Sequence, residues 1–261
     1  MNDSTRKKEL LEKITRKREF SCLPLGIVEK AFSRFEKDCY SDEEKVKLTR
    51  DFLRRVFSVF ASNNLLKRRK YDWKTILRKH SSTRERLPYF GEIYSRVLKG
   101  FEDSDKICIF DLGCGVNGFS YSFFPRRVKY IGIEAIGQLV DLANAYFKKE
   151  GIPGEVFQMD LFDFEQIGKV ISRYDGKRVV LLLKVLDSLE MFERGYSKIL
   201  LSSLKDVVDR IVVSFATKSL IRGEKFKVTR RWFIDFVKKD FDVLDKFEFG
   251  GEKYFVLCPK G

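Results

Sequence analysis

Residues 107–118 read ICIFDLGCGVNG, and this stretch constrains the fold more than any other. An apolar run ends in Asp111, and glycines follow at positions 113, 115 and 118. A strand therefore enters a tight loop that only residues lacking a Cβ follow closely. Such a loop carries backbone N–H groups and a helix N-terminus up to a nucleotide-like ligand. The spacing of the glycines alone also fits a dinucleotide cofactor, or a turn that merely lets a helix pack closely on a strand. Asp111 tilts the choice. A carboxylate two residues before Gly113 repels a pyrophosphate and suits a cationic amino group. S-adenosylmethionine has that amino group and no phosphate.

The residues that follow point to a nucleoside-type cofactor. KYIGIE (129–134) is a second strand, and Glu134 at its end lies 19 residues after Gly115. That is near the roughly 20-residue offset at which an acid holds ribose hydroxyls in a βαβ unit. QLVDLANAYFKK has helical apolar spacing. EVFQMDLF then gives a short strand reaching Asp160. Asp160 can accept from an adenine amino group while Leu161 covers the ring; a turn or helix N-cap role for Asp160 is the competing reading.

Further strands are expected at 155–158, 179–184 and 210–215, alternating with helices, and FDVLDKFEFGGEKYFVLCPK closes as a hairpin on a Gly-Gly turn. The order implies a mostly parallel sheet with one antiparallel strand: an α/β class I (Rossmann-like) methyltransferase sheet, preceded by an all-helical N-terminal domain. Before residue 100 the pattern is helical with few glycines. Its third helix starts at a capping box, Ser41 with Glu44, and carries an apolar face of Val46, Phe52, Val56 and Phe60.

Charge divides the chain in the same place. Residues 1–100 hold 26 Lys and Arg against 14 Asp and Glu, a net of +12, while residues 101–261 hold 26 against 24, a net of +2. The first part is expected to dock on a polyanion, the second to hold cofactor and substrate. In KRRKYDWK, Lys67, Arg68, Arg69 and Lys70 adjoin Tyr71 and Trp73. Cations beside aromatics suit RNA backbone and base stacking, although Trp73 reads better as a core anchor. Cys22, Cys39, Cys108, Cys114 and Cys258 form no CxxC pair and read as reduced thiols of a cytoplasmic protein, with no metal site. No apolar run is long enough to span a membrane.

The segment KHSSTRERLPYFGEIY (79–94) resembles the HxSTxER segment of the aminoglycoside-resistance 16S rRNA methyltransferases, enzymes that methylate guanine N-7 in the small ribosomal subunit. The similarity continues through DLGCGVN, KVLDSLE (184–190), SFATKSL (214–220) and GGEKYFVL (250–257), and back to RKREFSCLPLGIVEKAF near the start, so it covers nearly the whole chain. HSSTRER and SFATKSL are its most specific parts.

By position, the resemblance implies that Arg86 grips the carboxylate of S-adenosylmethionine, a task suited to a planar guanidinium. With Arg86, the expected cofactor site comprises His80, Asp111, Gly113, Gly115, Glu134, Asp160 and Leu161, His80 in a scaffold role suggested by its motif position. The resemblance implies a target-base pocket with Lys184 and Lys218 as positioning residues and Thr217 and Ser219 touching RNA. Gly118, Ala216, Lys218 and Asp187 depart from the family's pattern, which leaves the target nucleotide open.

The chemistry needs no general base, because guanine N-7 has a free lone pair and no proton. Catalysis then rests on placement and on charge lost from the sulfonium. The chain lacks the Asn/Asp-Pro-Pro-aromatic segment of exocyclic-amine methylation. The expected function is an S-adenosylmethionine-dependent RNA methyltransferase acting on 16S rRNA, with no membrane partner. Alternatives are a tRNA or other RNA methyltransferase, a protein or small-molecule methyltransferase, and a non-catalytic RNA-binding protein with a degenerate fold.

Overall fold

A computed structural model describes residues 3–57, 72–217 and 230–260. The chain opens with helices α1 (Asp3–Thr15), α2 (Leu25–Ser33) and α3 (Asp42–Phe57). The capping box forms as the sequence implies. Ser41 N donates to Glu44 Oε2 at 2.8 Å, and Glu44 N donates to Ser41 Oγ at 3.3 Å. Val46, Phe52 and Val56 face inward with Thr49 and Leu53, while Phe60 lies outside the described residues. Three short helices follow: α4 (Trp73–Lys79), α5 (Ser81–Arg86) and α6 (Phe90–Leu98). Trp73 packs edge-on against Phe123 with centroids 5.8 Å apart, the anchoring role expected of it.

The sheet is built from β1 (Ile107–Leu112), β2 (Lys129–Glu134), β3 (Gly154–Gln158), β4 (Lys177–Leu183), β5 (Arg210–Ala216), β6 (Phe241–Phe249) and β7 (Glu252–Pro259). Its order is β3-β2-β1-β4-β5-β7-β6. Five strands run parallel, and β7 inserts antiparallel between β5 and β6. Every residue of β1 is buried, because both faces of a parallel sheet are covered. Gly250 and Gly251 close the hairpin at φ +56° and +73°, where a Cβ is disfavoured.

Between the strands lie α7 (Gly137–Glu150), α8 (Phe164–Ser172), α9 (Leu186–Phe192), α10 (Tyr196–Leu204) and α11 (Arg231–Asp240). One expectation fails at the glycine loop. A 3₁₀ helix over Asn117–Phe123, not an α-helix, follows it. A Cβ on Gly118 would stand 2.8 Å from the Phe147 ring of α7, so the third glycine serves close packing instead of opening a long helix.

Two apolar layers sandwich the sheet. One joins Leu200, Leu204 and Phe233 to Phe110, Leu182 and Val213. The other runs unbroken from Leu10, Phe32 and Leu53 of the first helices into Ile109, Leu181 and Val256 of the sheet. The packing thus continues across residue 100. Among the described residues no helix is long and apolar enough to cross a membrane, and all five cysteines are free thiols.

Candidate active site

A cleft opens at the carboxyl ends of β1 to β4, the place where open α/β sheets bind ligands. Gly113, Glu134, Ala135, Asp160, Leu161, Lys184 and Val185 line it. Ile27 of α2 and Val56 and Phe57 of α3 also line it, so the N-terminal helices form part of its wall. Phe52, Phe57 and Phe162 all pack on Phe192, which holds that wall in place. No sequence signal marks this cover, because nothing local ties α3 to a cleft formed by strands beyond residue 107.

The glycine loop is held by its neighbour strand. Ile133 O accepts from Gly113 N at 2.8 Å and from Cys114 N at 3.0 Å. Glu134 Oε2 accepts from Gly115 N at 2.8 Å and its Oε1 from Ile136 N at 2.9 Å. Glu134 therefore braces the loop from inside the cleft. Burial raises its carboxyl pKa despite these N–H donors. Gly113 sits at φ +71°, and a Cβ there would lie 2.8 Å from Val185 Cγ2, so its bareness keeps the cleft open.

Asp111 is 1% exposed and is not part of the cleft wall. Its Oδ2 accepts from Asn117 Nδ2 and from the Tyr130 hydroxyl, both at 2.6 Å, and burial raises its pKa. Asp160 lines the cleft. Its Oδ1 accepts from Phe162 N at 2.9 Å, the turn role weighed for it, and burial raises its pKa too. Leu161 lies beside it, 9% exposed.

Arg86 has a partner that the sequence did not reveal. Its Nε and Nη2 donate to the two carboxylate oxygens of Glu252 at 2.9 and 3.0 Å, with both side chains buried. The expected grip on a cofactor carboxylate therefore finds two of the guanidinium donors already committed. Burial opposes charge on Arg86, but Glu252, Tyr254 and Asp111 together more than offset it and the pKa rises. Burial likewise opposes ionisation of Glu252. The charges of Arg86 and Lys184 outweigh it and hold that carboxyl below its usual range.

Lys184, which lines the cleft, joins the same cluster. Its Nζ lies 2.7 Å from Glu85 Oε2 and 3.3 Å from Glu252 Oε2. Its backbone is left-handed at φ +61°, the one non-glycine residue so placed among the described residues. Ser214 fixes that conformation by accepting from Lys184 N through its carbonyl and its Oγ. Ser214 Oγ in turn donates to Glu252.

His80 is buried beside this network and lies off the cleft wall. Burial, then the charges of Arg86 and Lys184, lowers its pKa to about 3. It is a neutral imidazole at physiological pH, consistent with a scaffold part. Thr217 directly follows β5 and is tied to the β6–β7 hairpin, donating from Oγ1 to Glu248 Oε1 at 2.9 Å and from N to Gly251 O at 2.8 Å. Asp187, where the family pattern differs, pairs with both Nε and Nη2 of Arg230. Lys67, Arg68, Arg69, Lys70, Lys218 and Ser219 lie outside the described residues.

Glu252 and Glu85 are the site residues that the motifs passed over. Glu252 opens β7 with alternate residues Tyr254 and Val256 also buried, and a carboxylate on that inward register calls for a cation.

A family model described as ribosomal RNA methyltransferase (FmrO) matches residues 39–233. A 16S rRNA (guanine(1405)-N(7))-methyltransferase of Micromonospora echinospora is 26% identical over 183 residues, 68% of this chain and 62% of that protein. One of Proteus mirabilis is 25% identical over 191 residues, 70% of this chain and 63% of that protein. The chain thus spans just under two thirds of the length of these relatives. Among solved structures, the 16S rRNA methyltransferase RmtF in complex with S-adenosyl-L-homocysteine superposes with a TM-score of 0.79 at 21% identity, covering 100% of both chains. The 16S rRNA methylase RmtB gives 0.77 at 20% identity, covering 97% of this chain and 98% of that one. At these identities the superpositions establish the shared fold.

Proposed function

The chain belongs to the ribosomal RNA methyltransferase (FmrO) family, and from that membership we propose that it transfers a methyl group from S-adenosylmethionine to guanine N-7 in 16S rRNA. The observation that carries the proposal is the cleft itself. Glycine at 113, acids at the ends of β2 and after β3, and an apolar wall from α2 and α3 meet in one place. This donor set fits an adenosine-bearing sulfonium. Glu134 suits ribose hydroxyls, Asp160 the adenine amino group and Leu161 the ring. Asp111 and the Arg86–Glu252 pair are buried off the cleft wall, and we assign them to counter-charging the amino-acid end of the cofactor.

Bound there, the cofactor supplies an electrophilic methyl group. The protein's part is placement. Lys184 is pinned by Ser214, Glu85 and Glu252 at the end of β4, and we assign it, with Lys218, to positioning the target base. A cation already paired with two carboxylates is not a proton acceptor, which agrees with a reaction at an unprotonated nitrogen. We assign Thr217 and Ser219 to contacts with the RNA. Residues 1–100 are assigned to docking on the small subunit and residues 101–261 to cofactor and base, in keeping with the charge division. A ribosomal substrate implies a cytoplasmic location.

The test is methyl transfer from labelled S-adenosylmethionine to 30S subunits, free 16S rRNA, tRNA and total protein, followed by reductive strand cleavage specific for 7-methylguanosine. Label and cleavage at one guanine of 16S rRNA are expected. Label confined to tRNA or protein would replace the substrate, and cofactor binding without any transfer would favour the degenerate-fold reading. Asp160→Ala is expected to weaken S-adenosylmethionine binding about tenfold, roughly 1.4 kcal/mol, for one lost hydrogen bond in a buried site. Calorimetry showing unchanged affinity would assign Asp160 to its turn alone.

A further inference from the structure

We infer that α2 is a latched cover over the cofactor cleft, and that the cofactor enters and leaves when Lys30 and Arg34 release the end of α9. The inference rests on the cofactor reading of the cleft given above. As it stands, the cleft is too small for such a ligand. Its volume is about 80 Å³, well short of the roughly 300 Å³ at which pockets begin to enclose a small molecule. An adenosine-bearing cofactor therefore fits only if a wall moves.

Most of the wall is held in place. Glu134 and Leu183 end strands that are paired on both sides in the sheet. On α9, Glu190 accepts from Gly195 N at 2.7 Å and from Ser197 N at 2.9 Å, which ties that helix to the start of α10. The remaining wall is Ile27 of α2 with Val56 and Phe57 of α3. These helices share no backbone ladder with the sheet. The wall that can yield is therefore the one formed by α2 and α3.

One stripe of α2 both covers and latches. Ile27, Lys30 and, closing the helix, Arg34 recur at helical spacing. Ile27 meets the cleft, and the two cations meet the end of α9. Lys30 Nζ lies 2.5 Å from Glu193 Oε2 and 4.5 Å from the centroid of the Phe162 ring. Arg34 Nη1 donates at 3.0 Å to Phe192 O, a carbonyl of the last turn of α9. Before α2 the chain is fixed. Cys22 O accepts from Gly137 N at 3.2 Å and from Gln158 Nε2 at 2.5 Å, and the helix starts at Leu25. The latch itself is weak. The side chains of Lys30 and Glu193 are 33% and 43% exposed, and an ion pair so open to water adds little and is screened by salt. Phe52 and Phe57 pack on Phe192 and favour reclosure.

The experiment removes one charge of the latch, Glu193→Gln, in the full chain. Association and dissociation of S-adenosyl-L-homocysteine are followed by stopped flow at low and high salt. Both rates are expected to rise about two- to fivefold, so that Kd changes by less than about twofold. Salt should speed dissociation from the parent protein and leave the variant unaffected. Glu36→Gln, which breaks the similarly exposed pair with Lys7, should match the parent. A second readout needs no cofactor. Ile27→Cys places a thiol at a position 3% exposed, and its alkylation is read at that residue by mass spectrometry. Adding Glu193→Gln should speed labelling by the same factor. Unchanged labelling overturns the inference. So does faster dissociation alone with Kd weakened in proportion, which would make Glu193 a support of the bound cofactor. If labelling accelerates but the parent protein binds no S-adenosyl-L-homocysteine, the moving cover stands and the cofactor reading falls.

Discussion

Glu252→Ala lowers the unfolding free energy by about 3–5 kcal/mol, the loss typical of breaking a buried ion pair from one side. Glu252 is fully buried and answers Arg86 through two hydrogen bonds and Lys184 through a third contact. Removing it leaves a guanidinium in the interior with no counter-charge. Lys184 retains Glu85 at 2.7 Å, so most of the cost falls on Arg86. Urea denaturation of the parent protein and the variant reads the difference. Arg86→Ala should cost less, because Lys184 and the Ser214 hydroxyl still answer the carboxylate. The paired variant Arg86→Met/Glu252→Leu should recover much of the loss, since two apolar side chains need no partner. If either single variant costs less than about 1 kcal/mol, water or a relaxed backbone reaches the pair and the interior is not closed there.

The second large effect is a pH dependence set by His80. Its folded pKa of about 3 lies below the ordinary value of 6.5. Between those limits the unfolded chain binds a proton that the folded chain refuses. Stability is then fully present above about pH 6.5 and is lost as pH falls toward 3, by at most about 1.4 kcal/mol per pH unit. Carboxylates titrate in the same window, so the measurement is a difference. The gap in unfolding free energy between the parent protein and His80→Gln should move by about 3 kcal/mol against the parent from pH 7 to pH 4. Parallel curves would mean that His80 is protonated in the folded protein and that the charges of Arg86 and Lys184 do not reach it.

What could be read in the sequence was local. The five parallel strands, the Gly-Gly hairpin, the capping box at Ser41 and the glycine loop each depend on residues a few positions apart, where backbone preference and apolar period decide the outcome. Glu134 was found because a βαβ unit fixes its distance from Gly115. Asp111 was legible as a strand-end acid, but its clasp by Asn117 and Tyr130 was not. Arg86 was found by motif and its partner missed, since 166 residues separate it from Glu252 and no periodicity spans such a gap. The left-handed backbone of Lys184 was equally silent, because lysine seldom takes φ near +61° and only the Ser214 contacts hold it there. The wall formed by Ile27, Val56 and Phe57 escaped for a further reason. An apolar helix face looks the same in sequence whether it meets a core or a cleft.

The insertion of β7 between β5 and β6 has a consequence for the order of assembly. The β6–β7 hairpin supplies both the strand next to the sheet's edge and the counter-ion for Arg86. Until residue 252 emerges, a growing chain that has made its helices and first five strands has nowhere to sequester that guanidinium. Closing such a long loop costs entropy before any contact repays it. Early compact forms of this protein are therefore biased toward staying open around α5, and the cleft acquires its final shape only when the last strand slides home.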